Sequence, residues 1–198
     1  MLRKSKNFRW LWAGQSISVI GSQLSGLALP VFAVTLLNVS EDQLGYLGAA
    51  DNVAFLVFAL LAGAWVDRWI KRRVMIIADL VRMAAVAAIP SLYFAGVFQF
   101  WQLIVLGAII GTATVFFDVA SQSFIPILFD DENIGAANSA LETSSQVAGI
   151  GGPSLVGWLL TILKAPFLLL ADAVSFAVSA ITLSFVRDEE KPKPVEAR

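Results

Sequence analysis

Gly63-Ala64-Trp65-Val66-Asp67-Arg68-Trp69-Ile70-Lys71-Arg72-Arg73 joins two long apolar stretches, and its reading decides the fold. A carboxylate closes the first hydrophobic run, and four cations lead into the next. A charge at the centre of a membrane-spanning helix costs about 2.5–3.5 kcal/mol. So many charges in so short a link belong in water at a membrane surface, in a cytoplasmic turn built to contact something.

The rest of the chain supports that reading. Of its 198 residues 58% are hydrophobic and only 15% charged, where a soluble domain carries about 25%. Crossing roughly 30 Å of hydrocarbon takes about 20 apolar residues as a helix, and such runs recur six times. They fall at about 9–37, 44–66, 73–95, 101–127, 134–162 and 166–186. The runs are continuous rather than alternating, which favours helices over barrel strands. The first is too long for a cleavable signal and has no small-residue cleavage site. The expectation is an all-α membrane protein, a six-helix transmembrane bundle over 1–186 followed by a charged cytoplasmic linker over 187–198. Pro30 and Pro153 lie inside runs and should kink them, as membrane helices tolerate.

Cysteine and histidine are both absent. That removes thiolate catalysis, histidine-based triads and nearly every transition-metal site. No cofactor and no metal are expected, and an intramembrane enzyme has no convincing catalytic pair to run on. Net charge is −1, without the basic, aromatic-interleaved patch that nucleic acid requires.

Lysine and arginine placement sets orientation, because cytoplasmic loops retain them. Arg3, Lys4, Lys6 and Arg9, then Arg68, Lys71, Arg72 and Arg73, then Arg187, Lys191, Lys193 and Arg198 fall on one side, twelve of fourteen cations. Lys164 lies opposite and Arg82 lies within a span. Both ends of the chain are therefore expected in the cytoplasm of a cell whose plasma membrane the bundle crosses.

Ionisable groups within spans are candidate functional sites. Asp79 and Arg82, three apart on one helix face, read as an internally neutralised structural pair. Asp118 and Glu142 fall at similar depth on spans 4 and 5, and Asn138, Glu142 and Gln146 repeat every fourth residue. These groups, with Gln15 and Asp51, are candidates for lining a water-filled cavity or coupling to a proton gradient; interhelical hydrogen bonding is the alternative. Asp172, with Ser175 and Ser179 at helical spacing, reads as capping or packing. Gly149, Gly151, Gly152, Pro153 and Gly157 crowd span 5, and Gly14, Gly21 and Gly26 mark span 1, as close helix packing or as a deformable interface.

With these residues in place the chain resembles the amino-terminal half of a major facilitator superfamily transporter. Gly63, Asp67, Arg68, Lys71, Arg72 and Arg73 match that family's signature loop, with Ile70 where a second glycine is usual, which implies a looser turn. The resemblance implies that Asp67 caps and pairs with a helix of the other half in the outward-facing state, a conformational latch. Gly149, Gly152, Pro153 and Gly157 partly match its antiporter motif and point to export. Phe8-Arg9-Trp10-Leu11-Trp12, Ala28-Leu29-Pro30 and Leu170-Ala171-Asp172-Ala173-Val174-Ser175-Phe176 are closest to the branch of enterobactin exporters and macrolide efflux proteins.

The resemblance implies a 3+3 inverted repeat, with helices 1, 2, 4 and 5 lining the cavity and helices 3 and 6 peripheral. It implies half of an alternating-access exporter of a small amphipathic molecule. The partners would be the lipid bilayer and a second six-helix half, from the same parent chain, a partner chain or a homodimer. The rival is a non-transporting assembly or regulatory subunit. Because the chain lacks cysteine, a single thiol at Arg73→Cys tests the orientation: an impermeant maleimide should label it only from the cytoplasmic side, and labelling from outside would overturn the topology.

Overall fold

The computed structural model describes residues 5–187, apart from the side chains at 41, 47, 50–56 and 60. Among the described residues there are six α-helices and no strand: α1 Lys6–Leu37, α2 Glu41–Val66, α3 Lys71–Phe94, α4 Phe100–Leu128, α5 Asp131–Ile162 and α6 Ala165–Phe185. Most of the charged linker expected over 187–198, and Arg3, Lys4 and the cations beyond Arg187, lie outside the described residues.

Caps rather than hydropathy decide where α1 and α2 begin. Ser5 accepts from the Phe8 amide and starts α1 before the apolar run does. Ser40 and Gln43 form a reciprocal capping box at the head of α2, satisfying amides that have no partner inside the helix. At the other ends, Asn38 closes α1 in the left-handed region at φ 51°, and Gly96 follows α3 at φ 73°. The residues between successive helices are few, so neighbours in sequence run antiparallel.

Among the described residues four helices are long and apolar enough to cross a membrane: Lys6–Leu37, Lys71–Phe94, Phe100–Leu128 and Ala165–Phe185. On α2 the apolar stretch is Val57–Val66. α5 has the length, about 48 Å at 1.5 Å per residue, but its Asn138, Glu142 and Gln146 stripe dilutes it. That stripe is exposed, with Asn138 and Glu142 on the wall of a cavity described below.

The packing repeats itself. α1 lies along α6 and α5, α4 lies along α3 and α2, and α3 packs on α6. Exchanging α1 with α4, α2 with α5 and α3 with α6 carries each of these contacts onto another, the signature of two three-helix units. Since each unit crosses three times, the second is inverted relative to the first. The repeat is also written in sequence. Ala78-Asp79-Leu80-Val81 on α3 answers Ala171-Asp172-Ala173-Val174 on α6, and each aspartate accepts a hydrogen bond from the residue three positions on, Arg82 and Ser175.

Two apolar cores flank this pair of aspartates. One gathers Phe32, Val86, Ile89, Leu103, Val156, Leu168, Leu169 and Phe176, with Tyr93 and Phe98 edge-on to Phe32 at 5.3 and 5.6 Å. The other gathers Leu11, Val66, Met75, Phe117, Phe124, Leu183 and Val186, next to the 67–70 turn. Between them runs a buried polar layer of Ser18, Ser25, Asp79, Arg82, Asp172, Ser175 and Ser179.

Glycine brings α1 against α6 at this layer. A Cβ on Gly14 would collide with Thr182, and one on Gly21 would collide with Ser175 and stand 2.6 Å from Asp172 Oδ1. A Cβ on Gly26 would meet open space. Gly21→Ala should therefore cost about 1–3 kcal/mol through overpacking and lower the melting temperature in detergent. Gly26→Ala should leave it unchanged or raise it, since alanine is the better helix former; equal melting of the two variants would refute the close-approach reading.

Candidate functional site

A cavity of about 930 Å³ opens between α1, α4 and α5. Gln15 and the serines of α1 form one side, Phe117, Asp118, Ser121 and Gln122 of α4 another, and Asn138, Glu142 and Ser144 of α5 the third. Its floor includes Arg82 of α3. The helical period puts these residues there: Asp118, Ser121 and Gln122 share one face of α4, and Asn138 and Glu142 share one face of α5.

Polar side chains fix the walls to one another. Gln15 Nε2 donates to Ser121 Oγ at 2.6 Å, joining α1 to α4. Trp12 Nε1 donates to Ser144 Oγ at 2.9 Å, joining α1 to α5. Gln146 Nε2 donates to Glu142 at 2.6 Å, one turn away on the same helix. Asp118 and Glu142 both stay exposed to the cavity.

Of the residues singled out from sequence, the structure thus brings together Gln15, Asp118 and Glu142, with Gln146 attached through its bond to Glu142. The side chain of Asp51 lies outside the described residues. Arg82 comes to the same cavity although α3 was expected at the periphery. It keeps the expected pairing with Asp79, but its guanidinium also lies between the Phe117 and Phe176 rings, 4.2 and 4.4 Å from their centroids. Charge within an apolar run was the available signal; spacing alone could not show which neighbouring helix the side chain reaches.

Asp172 packs rather than faces the cavity. It is buried, and it accepts from Ser25 of α1 and from Ser175 at 3.0 Å. On α5 the glycines divide. Gly152 touches Gln23, whose Cγ would stand 2.6 Å from an added Cβ, whereas Gly149, Gly151 and Gly157 face open space.

The 63–73 stretch forms a second feature, beside the apolar core that holds Leu11, Val66, Met75 and Leu183. Asp67 caps α2, its amide donating to Gly63 O, and the Arg68 and Trp69 amides donate to Trp65 O and Val66 O at 3.1 Å. The turn is therefore tight, not loose, because Ile70 takes an ordinary extended conformation at φ −70° that needs no glycine. Lys71 Nζ donates to the Asp67 carbonyl at 3.2 Å, and Arg72 donates to the Val186 carbonyl at the end of α6. Asn7 and Arg187 exchange two hydrogen bonds nearby. These bonds hold the loop to the bundle while Asp67, Arg68 and Arg73 remain exposed.

Comparison with known proteins agrees with this architecture. The family model of the Major Facilitator Superfamily matches residues 11–198. An MFS-type transporter of Bacillus subtilis, YvqJ, is 26% identical over 187 residues, 92% of this chain and 43% of that protein. Macrolide efflux protein A of Streptococcus pyogenes is 24% identical over 180 residues, 91% of this chain and 44% of its own length. The multidrug efflux pump Tap of Mycolicibacterium fortuitum is 27% identical over 178 residues, 86% and 43% respectively. The chain spans less than half the length of these relatives. A family of transporters rather than enzymes, a helical membrane fold and an inverted pair of three-helix units all converge, and the chain belongs to the Major Facilitator Superfamily.

Proposed function

We propose that this chain is one half of a secondary active exporter that moves a small amphipathic molecule across the plasma membrane by alternating access, driven by a proton gradient. The observation that carries the reading is the cavity with Asp118 and Glu142 on its walls. Its volume of about 930 Å³ matches the 300–1,000 Å³ typical of sites for drug-sized ligands. Carboxylates held in a membrane bundle are costly and are the usual groups of proton relays. Relatives that include a macrolide efflux protein and a multidrug pump favour export.

A second six-helix half completes the working unit in this reading, supplied by the same parent chain, a partner chain or a second copy. The chain covers 43–44% of the relatives' length, and Gly149 and Gly157 of α5 have no neighbour against them. Asp67 with Arg68 and Arg73 would meet that half at the cytoplasmic rim and act as the latch. Both ends of the described bundle would then lie in the cytoplasm.

Drug accumulation in cells expressing the complete reading frame tests this. Glu142→Gln should lower export of a macrolide about tenfold or more in kcat/KM, and Asp67→Asn should slow export while leaving macrolide binding to the purified protein intact. A non-transporting subunit would show unchanged accumulation in both variants.

A further inference from the structure

Arg82 is surrounded by more than its partner on α3 requires. It is 4% exposed, its guanidinium pairs with Asp79, and two aromatic rings enclose it from α4 and α6. It is also the one cation among the described residues that line the cavity. It shares that cavity with two carboxylates, Asp118 of α4 and Glu142 of α5. Phe117 and Asp118 are consecutive, so the ring that holds the guanidinium and the carboxylate facing the cavity share one turn of α4.

We propose that Arg82 is the positioning residue that sets the charge selectivity of the cavity. Held from behind by Asp79 and from the sides by Phe117 and Phe176, it offsets the charge of Asp118 and leaves Glu142 as the stronger negative pole. The cavity then suits a substrate with one cationic group and an apolar body. A planar guanidinium fits between two ring faces as an ammonium does not, which explains arginine at this position. The substrate class rests on the transporter reading above; the field that Arg82 imposes does not.

That field can be read directly. The chain has no cysteine, so Gln122→Cys places a single thiol on the cavity wall, one helical turn from Asp118. The ratio of its modification rates by a cationic and an anionic methanethiosulfonate, measured on the complete protein in membranes, reports the local potential. In this background the cationic reagent should react faster. Adding Arg82→Gln should raise the ratio about tenfold or more, the order expected for one unit charge nearby under partial screening. Arg82→Lys should restore it to within a factor of about two, because charge rather than shape dominates at this range.

The double variant Asp79→Asn with Arg82→Gln removes both halves of the buried pair and so avoids an uncompensated charge. A ratio that stays severalfold above the parent shows Arg82 acting on Asp118; a ratio that returns to the parent value overturns the proposal, because Arg82 then serves Asp79 alone. Should the Arg82 variants fail to reach the membrane, Asp118→Asn carries the test, since that side chain is exposed. The ratio should then fall severalfold, because Arg82 is left to offset Glu142 alone, and an unchanged ratio overturns the proposal. A macrolide with a tertiary amine should protect the thiol better than its neutral N-acyl analogue, and equal protection overturns the substrate assignment. Loss of export with the stated ratios intact would refute the transporter reading while sparing the role of Arg82.

Discussion

A guanidinium buried with carboxylates between two apolar cores constrains the bundle more than any other interaction in it. Arg82 and Asp79 sit 4% and 0% exposed, where losing one partner of an ion pair costs about 3–5 kcal/mol because the other charge is left uncompensated. The apolar cores on either side are non-directional and would tolerate small slips of one helix along another. The polar layer would not. The position of Arg82 between Phe117 and Phe176 fixes α3 against α4 and α6 together, and the bonds from Ser25 and Ser175 to Asp172 fix α1 against α6. Register in four of the six helices thus follows from a handful of polar side chains.

The two three-helix units use that layer in different ways. Asp79 is answered by a cation and Asp172 by hydroxyls, at equivalent positions of a repeated Ala-Asp-x-Val sequence. The hydroxyls are small enough for α1 to approach α6 at Gly14 and Gly21, and that contact is closely packed. Arg82 is too long for such an approach, so its side chain extends past the helix surface to the cavity. One substitution between repeats therefore separates a packed seam from the floor of the cavity. α5 is held more lightly against α1, through the Trp12–Ser144 bond and the approach of Gly152 to Gln23, with an outer face where Ile150 is 80% exposed. Of the cavity's three walls it has the fewest restraints on movement.

Much of this was legible from residues alone, for identifiable reasons. Six helices follow from run length, since hydrocarbon thickness sets the number of residues needed. The Gln15, Asp118 and Glu142 grouping follows because polar groups in an apolar bundle seek one another or water. α1 and α2 start a few residues before their apolar runs because Ser5 and Ser40 act through hydrogen bonds that hydropathy does not register. Ile70 suggested a loose turn only by analogy with a glycine; the backbone there stays extended and the amides of Arg68 and Trp69 close the turn. Arg82 on the cavity floor was beyond reach, because spacing along one helix reports its own faces and not the lengths to which its side chains extend. The span 5 glycines looked alike in sequence, yet only Gly152 meets a neighbour.

The polarity of α5 bears on what surrounds the bundle. Asn138, Glu142 and Gln146 are exposed along its middle turns, and one internal bond between Gln146 and Glu142 leaves several polar atoms to satisfy. Facing lipid, such a stripe would forfeit hydrogen bonds that water supplies, at several kcal/mol for each lone group. Facing a water-filled cavity it loses nothing. A water-filled space at membrane depth needs a wall on its remaining side, and in the proposed function that wall is the second six-helix half. The open glycine face on the adjoining turns of the same helix is where two such walls could close on each other without a side chain in the way. The same helix that carries the costly carboxylate would then carry the surface along which the cavity opens and shuts.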